Sequence, residues 1–248
     1  WLFVFSASRY CPRAKSTCSL FGSKLNEMVG NSNEWTWGAE IESSRSESDG
    51  TIPFGDHSFE RISARIQLVG PDSQTDLFAG YQHKMFGLYG MYTGDLYTAF
   101  NPYEHENIKT RLFLVNHRND YGEESYLQTS AYHRNNSDHY LSNRFSPNQD
   151  FVHDSEVNAL SLSGLHQLDQ KLSINYALQA TNDKIESSSL ENGSFTSRNY
   201  YKVTILPEYL YELSEKESLT FKLGSSWDDT NRDKARFSPI AEIERIKE

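Results

Sequence analysis

The chain is poor in the features that mark helical membrane proteins, zinc proteins and nucleic-acid binders. Its 248 residues contain no apolar run of roughly 18 residues, which excludes a spanning helix. Only two cysteines occur, Cys11 and Cys18, and they form neither a C-x-x-C pair nor a cluster with histidine, which argues against a zinc site. Lysine and arginine number 24 against 34 acidic residues, and a net charge of -10 argues against a nucleic-acid partner.

Aromatic residues, by contrast, are plentiful. The chain has 15 Tyr and 14 Phe, yet its mean hydropathy is -0.69. This combination is typical of strands that present one apolar and one polar face, because only half of the side chains then need to be apolar.

The side-chain pattern has a period of two from about residue 34 onward, which predicts strands. In the clearest case Leu172, Ile174, Tyr176 and Leu178 alternate with polar or small residues. Similar runs predict about nine or ten strands of an antiparallel sheet. They cover residues 35–41, 61–68, 77–81, 111–117, 126–133, 157–166, 172–180, 201–211 and 219–227.

The predicted connections alternate between short and long. Short polar turns at 70–73, 119–122, 168–170 and 214–216 recur roughly every 48 residues. Long polar stretches lie between them, at 43–58, 85–109, 134–155 and 182–198. Short turns at one end and long loops at the other are the pattern of outer-membrane β-barrels.

The physics of a bilayer agrees with a barrel. Unpaired backbone groups in hydrocarbon cost several kcal/mol each, so the strands of a membrane sheet must close. Charged residues of the polar phase would then face inward: Arg61, Arg65, Lys171, Lys202, Glu208 and Lys222. Aromatic residues of the apolar phase would form girdles at the headgroup level, with core rings of a β-sandwich as the alternative: Trp35, Trp37, Tyr81, Tyr176, Tyr209, Tyr211 and Trp227.

Residues 1–19 differ from the rest of the chain. They are apolar and then basic, which reverses the order of a signal peptide, and no Met starts them. We interpret this segment as a truncation or reading-frame artefact, with a first strand as the alternative.

Four segments of the chain resemble a known family. Residues 75–87, 110–118, 130–140 and 225–233 are similar to barrel segments of TonB-dependent receptors, above all of the vitamin B12 and siderophore branch. The resemblance extends from about residue 21 to the C-terminus, and its motifs are those of barrel strands and not of a catalytic site.

This resemblance implies an all-β, antiparallel transmembrane barrel of about 22 strands, plugged by an N-terminal domain. Residues 20–248 would be a partial barrel, because the chain has neither plug nor TonB box and lacks a terminal aromatic residue. The implied function is TonB-dependent uptake of a metal chelate or a cobalamin-like ligand at the outer membrane of a Gram-negative-type bacterium. The implied partners are membrane lipid, a small-molecule ligand and a TonB-type periplasmic transducer, bound through the missing N-terminal region. No cofactor and no enzymatic activity are expected.

An aromatic stretch within 85–103 is the predicted ligand-binding loop. Its rings are spaced by Gly87, Gly90 and Gly94, an arrangement suited to an adaptable surface for a large planar ligand. The alternative is that the rings only pack the loop over the barrel mouth. The candidate binding residues are Phe86, Tyr89, Tyr92, Tyr97 and Tyr103.

Two groups of residues are weaker candidates for metal sites. One lies in the predicted loop 134–155 and around it, where a solvated polar loop is the favoured interpretation: His133, Asp138, His139, Asp150, His153 and Asp154. The other, suited to calcium, is Asp228, Asp229 and Asp233 at the outer end of a strand.

Three other functions remain open at this point. A passive porin or structural barrel would have fewer strands and no upstream domain. A barrel enzyme would need an Asp/His or Ser/His pair at the mouth of the lumen. A soluble β-sandwich binding module would need a second sheet packed on the apolar faces.

Overall fold

The computed structural model describes most of the chain. The described residues are 3–6, 18–27, 35–92, 100–122, 124–146, 150–190, 196–214 and 216–247, the first two ranges by their backbone alone. In this part of the chain no helix is long and apolar enough to cross a membrane.

Twelve strands account for most of these residues. They are β1 (Phe3–Ser6), β2 (Cys18–Glu27), β3 (Thr36–Ser48), β4 (His57–Val69), β5 (Ser73–Gly87), β6 (His105–Asp120), β7 (Tyr126–Leu141), β8 (Asp150–Gln167), β9 (Leu172–Ser187), β10 (Ser197–Ser214), β11 (Glu217–Thr230) and β12 (Asp233–Lys247). Ten of them, β3 to β12, follow residue 34, which confirms the predicted number of strands.

The strands form one antiparallel sheet in sequence order, from β1 at one edge to β12 at the other. The described strands are therefore an open sheet, consistent with part of a barrel wall. The predicted short turns are confirmed at one end, which we call the turn end. For example, the amide of Gly70 donates to the carbonyl of Ser73 at 2.7 Å, and Gly122 adopts a φ of 94° that favours glycine. The long connections lie at the opposite end, the loop end.

One face of the sheet, the apolar face, carries the large exposed apolar side chains. Strand pairing places six of the seven predicted girdle residues on this face, together with the predicted apolar runs, whereas Trp35 precedes β3 and lies outside the strand register. Its exposed members include Trp37, Ile41, Ile62, Ile66, Phe113, Val115, Leu160, Leu178, Tyr201, Ile205, Tyr209, Tyr211, Leu223, Trp227, Phe237 and Ile243.

The other face, the polar face, carries charged and hydrogen-bonding side chains. Arg65 and Gln67 donate to the carboxylate of Asp76 at 3.0 and 3.2 Å, and Arg61 pairs with Glu42. The charged strand residues predicted to face inward lie on this face: Arg61, Arg65, Lys202, Glu208 and Lys222.

The sheet has no core of its own. Among the described residues Val157 is the single apolar side chain that is buried, and no second sheet covers the apolar face. The accessible surface of 17423 Å² far exceeds the ~11,000 Å² expected for a compact monomer of this mass. A β-sandwich would bury that face, so this alternative is wrong.

The apolar band crosses the strands obliquely. A row of directly paired residues begins at Ile66 in β4 and ends at Asp229 in β11. Ile66 lies in the middle of the apolar run of β4, whereas Asp229 lies beyond the apolar run of β11, on its loop side. Strands that tilt by roughly 35–45° across a membrane produce such an offset.

Several strands are longer at the loop end than the alternation predicts. The predicted loop 134–155 is wrong in extent, because β7 continues to Leu141 and β8 begins at Asp150. In these added parts of β7 and β8 both faces of the sheet carry polar side chains. The backbone hydrogen bonds between the strands continue there, although the apolar face has ended. Strand β12 was not among the predicted runs, since Pro239 and charged residues interrupt its pattern.

Candidate ligand-binding site

The long connections gather at the loop end, around the predicted aromatic loop. They join β3 to β4, β5 to β6, β7 to β8 and β9 to β10, and we name the first three loop A (49–56), loop B (88–104) and loop C (142–149). Of loop B the structure describes residues 88–92 and 100–104, and of loop C residues 142–146.

Three aromatic rings, one from each loop, pack together. The ring centroids of Phe54 and Tyr103 lie 4.9 Å apart, those of Phe54 and Phe145 5.7 Å apart, and those of Tyr103 and Phe145 5.6 Å apart. All three contacts are edge-to-face, a geometry favoured by the ring quadrupoles. Loops A, B and C are thus in direct contact.

Arg144 fixes the same three loops by polar contacts. Its guanidinium donates to the carboxylate of Asp56 at 2.7 Å, and its backbone amide donates to the carbonyl of Tyr103 at 3.0 Å. The amide of Gly87 donates to the carbonyl of Asp56 at 2.9 Å, which brings β5 against loop A. An arginine with most of its side chain buried makes stronger hydrogen bonds than an exposed one, because water competes less.

Two non-glycine residues here have left-handed backbone conformations. Phe54 has a φ of 60° and Tyr89 a φ of 47°, each next to the ring contacts of its loop. Such conformations cost on the order of 1 kcal/mol and persist where surrounding contacts determine them. The loops are therefore held in defined shapes.

Loop B is anchored to the polar face by a buried carboxylate. Glu104 is 0% exposed, and it accepts hydrogen bonds from the amide of Tyr92 and the hydroxyl of Tyr140, both at 3.1 Å. Burial and the neighbouring Glu104 raise the pKa of Tyr140, so that its hydroxyl stays a donor. The described part of loop B at Tyr92 consequently lies against Tyr140, on the polar face of β7.

The carboxyl groups of Glu106 and Asp138 lie close to each other in the same region. Burial, together with the nearby charge of Asp138, raises the pKa of Glu106 to about 7. Burial also lowers the pKa of His105, and the cation of Arg144 lowers it further. The loop end therefore contains a carboxyl group that titrates near neutral pH.

The structure separates the predicted binding residues into different contacts. Phe86 packs on Phe59 with centroids 6.1 Å apart, Tyr89 on Phe100 at 5.0 Å, and Tyr92 on Tyr140 at 5.2 Å. Tyr103 belongs to the three-loop ring cluster, and Tyr97 lies outside the described residues. Their role in ligand binding stays a prediction.

Other residues of this region were not singled out by the sequence. Phe54, Phe145, Arg144, Glu104 and Tyr140 hold the loops together. Their partners come from distant parts of the chain, and no local motif marks them. The one sequence signal for them was the presence of aromatic residues, such as Phe54 and Phe145, in the predicted polar stretches 43–58 and 134–155.

The predicted calcium residues lie at the loop end of β11 and β12. Asp228 accepts from the hydroxyl of Tyr200 at 2.6 Å, and Asp233 accepts from the amide of Lys234 at 2.8 Å and pairs with Arg236. Within the described ranges no group of three or more potential ligands is arranged to hold a metal ion. The calcium site involving Asp229 and its neighbours stays a prediction.

The histidines of the other metal candidate lie on strands β7 and β8, not in a loop. His133 contacts Asn158 at 2.7 Å, His139 contacts Asp150 at 3.2 Å, and His153 contacts Ser187 at 2.6 Å. Each histidine is hydrogen-bonded to a neighbouring strand, as expected for the solvated polar ends of long strands.

The polar face also has a basic groove. A depression of about 400 Å³ is lined by Tyr132, Arg134, Arg198 and Tyr200, among others. Arg198 donates to Asp183 at 2.9 Å, whereas Arg134 has no carboxylate partner among the described residues. The two arginines lie one cross-strand row beyond the two tyrosines, and the guanidinium of Arg134 beside these rings suits a ligand that is both anionic and aromatic.

Comparisons with solved structures identify the architecture. The siderophore receptor PirA from Pseudomonas aeruginosa matches with a TM-score of 0.62 and 13% sequence identity, over 90% of this chain and 35% of that one. The chain has the fold of a siderophore-receptor barrel wall. The resemblance noted in the sequence is thus confirmed at the level of the fold.

Two further receptor structures agree. The ferripyoverdine receptor of Pseudomonas aeruginosa, bound to ferripyoverdine, gives a TM-score of 0.58 at 10% identity, over 94% of this chain and 37% of that one. BauA, the ferric preacinetobactin receptor of Acinetobacter baumannii, gives a TM-score of 0.54 at 10% identity, over 93% of this chain and 42% of that one. The chain therefore spans 35–42% of the length of these three chains. No family model matches the chain, and no curated protein matches it.

Proposed function

We propose that this chain forms part of the wall of an outer-membrane receptor that imports a metal chelate or a cobalamin-like molecule. The observation that carries the proposal is a single sheet with an apolar face, a polar face and interlocked loops at one end. The receptor fold adds support, because two of the matching structures are receptors for ferric siderophores.

The apolar face fits a bilayer and not water. Side chains such as Leu223 and Ile243, 70% and 71% exposed, would be unfavourable in water at about 25 cal/mol per Å² of apolar surface. The tyrosine and tryptophan side chains of this face would lie at the level of the lipid headgroups. We infer a place in the outer membrane of a Gram-negative-type bacterium.

The ligand would first contact the rings exposed on loop B. Tyr92 is 51% exposed, and Tyr89 and Phe100 are also exposed. We assign Tyr89, Tyr92 and Tyr97 to ligand contact, and we assign Phe86 and Tyr103, which pack against β4 and the other loops, to positioning. Rigid rings of this kind provide contact area at low entropic cost.

The basic groove on the polar face would continue the path. Arg134 offers charge complementary to an anionic chelate, near the rings of Tyr132 and Tyr200, while Arg198 is already paired with Asp183. This groove favours the chelate over an uncharged ligand.

Release of the ligand into the periplasm would require a TonB-type energy transducer. We infer transport and not catalysis, since the matching structures are receptors. A passive porin is the competing function, and it differs in needing no energy.

An uptake experiment distinguishes the two. Cells that lack their own receptors would express the gene that encodes this chain, and receive radiolabelled iron as catecholate, hydroxamate or citrate chelates, or labelled cyanocobalamin. We expect saturable uptake of one compound that stops when TonB is deleted. Uptake that persists without TonB would indicate a porin, and no uptake of any compound would overturn the proposal.

The aromatic loop is tested in the same cells. Tyr92→Ala should reduce binding of that compound about tenfold, while Tyr121→Ala at the turn end should not. Equal binding by the two variants would remove loop B from the site.

A further inference from the structure

A groove of about 520 Å³ lies on the apolar face, away from loops A, B and C. Side chains of five adjacent strands, β6 to β10, line it. These include Val115, Ala131, His133, Leu160, Ala180 and Tyr201. Tyr132 and Thr181, which belong to the polar face, border both this groove and the basic groove, and the other lining residues take no part in the ligand path proposed above.

Alternating side-chain size creates the groove. One row of directly paired residues reads Val115, Ala131, Leu160, Ala180 and Tyr201 across the five strands. The two alanines leave slots along β7 and β9, with Leu160 as the ridge between them. Because neighbouring strands lie about 4.8 Å apart, the slots are roughly 10 Å apart.

Polar side chains close the loop side of both slots. His133 Nδ1 lies 2.7 Å from Asn158 Oδ1, and Asn182 Nδ2 donates to Asn199 Oδ1 at 2.6 Å. Asn158 also donates to Glu156 at 2.7 Å. The border between the apolar band and the polar loop side thus carries imidazole and amide groups suited to the ester and hydroxyl groups of a lipid.

Two cations flank this border on β6. Lys109 and Arg111 are exposed, on the same face as the groove, and neither has a carboxylate partner among the described residues. Farther along the border, Glu156 faces Lys184, which also pairs with Glu186. The β6 side therefore has positive charge available for a phosphate.

We propose that this groove binds a phosphate-bearing lipid of the outer leaflet, with acyl chains in the alanine slots and its phosphate at Lys109 and Arg111. An apolar depression facing hydrocarbon has no partners for water, so lipid chains are the occupant that fits it. The polar border sets the depth of the headgroup. This inference rests on the membrane placement in the proposed function, and is independent of the imported ligand.

Photo-crosslinking in nanodiscs tests the site. The protein is reconstituted with phosphatidylglycerol that contains a small fraction of the same lipid with a photoactivatable chain, and crosslinked peptides are quantified. We expect peptides of β7 to β9 to be labelled at least threefold above other apolar-face peptides. Ala131→Phe together with Ala180→Phe should abolish this excess, whereas Ala64→Phe, on the same face of β4, should not.

A second experiment tests the contact between the phosphate of the lipid and the protein. With photoactivatable diacylglycerol of the same chains, labelling of β7 to β9 should fall at least threefold, and Lys109→Gln with Arg111→Gln should lower phosphatidylglycerol labelling to that level. Arg45→Gln, whose cation is already paired with Glu47 and Glu60, is the control.

The outcomes separate the two proposals. Even labelling of the whole apolar face in inserted protein would mean annular lipid only, and would overturn the groove alone. Failure of the protein to insert, seen as the absence of heat-modifiable gel mobility, would overturn both the groove and the receptor wall.

Discussion

The guanidinium of Arg144 lies 2.7 Å from the carboxylate of Asp56, a residue 88 positions earlier in the chain. This contact crosses the loop ends of β4 to β7 and joins loop C to loop A, with Tyr103 of loop B between them. The three loops therefore constrain one another, and a change in one should be measurable in the others.

Removing the arginine should loosen all three loops together. Arg144→Ala deletes charge-assisted hydrogen bonds of a mostly buried side chain, at a cost of about 1–3 kcal/mol. Hydrogen exchange of residues 49–56, 88–92 and 142–146 should accelerate about tenfold or more. Arg118→Ala, which removes an exposed pair with Asp120 at the turn end, should leave these rates unchanged. Acceleration confined to loop C would contradict the coupling.

A single added methyl group should have a similar effect. A Cβ at Gly87 would overlap the backbone carbonyl oxygen of Phe54, so Gly87→Ala must push loop A away from β5. We expect faster proteolysis of loop A and loss of its exchange protection. At Gly80, an added Cβ meets only the movable ring of Phe78 at 3.0 Å, so Gly80→Ala should keep both properties near wild type.

The loop end should be less stable at neutral and basic pH than at mildly acidic pH. The pKa of Glu106 is raised to about 7, above its value in the unfolded chain, so the folded state holds a proton that the unfolded state releases. The resulting stability is present below about pH 4.5 and is lost as the pH rises through 7.

Hydrogen exchange measured between pH 5 and 8 should show this loss of stability. After correction for intrinsic exchange, protection of the segment around Glu106 and Tyr140 should decrease over this range, and Glu106→Gln should remove the decrease. Glu60→Gln, at an exposed position on the apolar face, is the control and should retain it. A protection that increases with pH in the wild type would refute the assignment.

Two adjacent positions test which face meets the membrane. Ile66→Lys places a cation on the apolar face at a cost of about 2–4 kcal/mol near the midplane, whereas Gln67→Lys places it on the polar face. The first variant should accumulate several-fold less in the outer-membrane fraction, and the second should match wild type. Equal accumulation would mean that residue 66 does not face lipid.

The sequence predicted the two-faced parts of the sheet well, and for a physical reason. In β4 and β9 one face carries apolar side chains and the other carries polar ones, so Ile66 and Arg65, or Leu178 and Gln179, alternate. Beyond the apolar band both faces are polar. The alternation ends there while the backbone pairing continues, which is why residues 134–141 were predicted as loop and are strand.

The loop contacts were beyond sequence reasoning. The composition of loop B indicated packing or binding rings, but the partners of Tyr92 and Tyr103 are Tyr140, Phe54 and Phe145, from other parts of the chain. Only the strand order brings them together. Glu104 likewise looked like one of many acidic loop residues, although it is fully buried.

The oblique course of the apolar band has a practical consequence for mutagenesis. In the proposed membrane placement, two residues in the same row of backbone pairing, such as Ile66 and Asp229, would sit at different depths in the bilayer. A substitution must therefore be compared with residues at the same height above the membrane centre. From each strand to the next, the residue at that height lies further from the row of directly paired residues. Aligning variants by hydrogen-bonded partner alone would mix lipid-facing sites with water-facing ones.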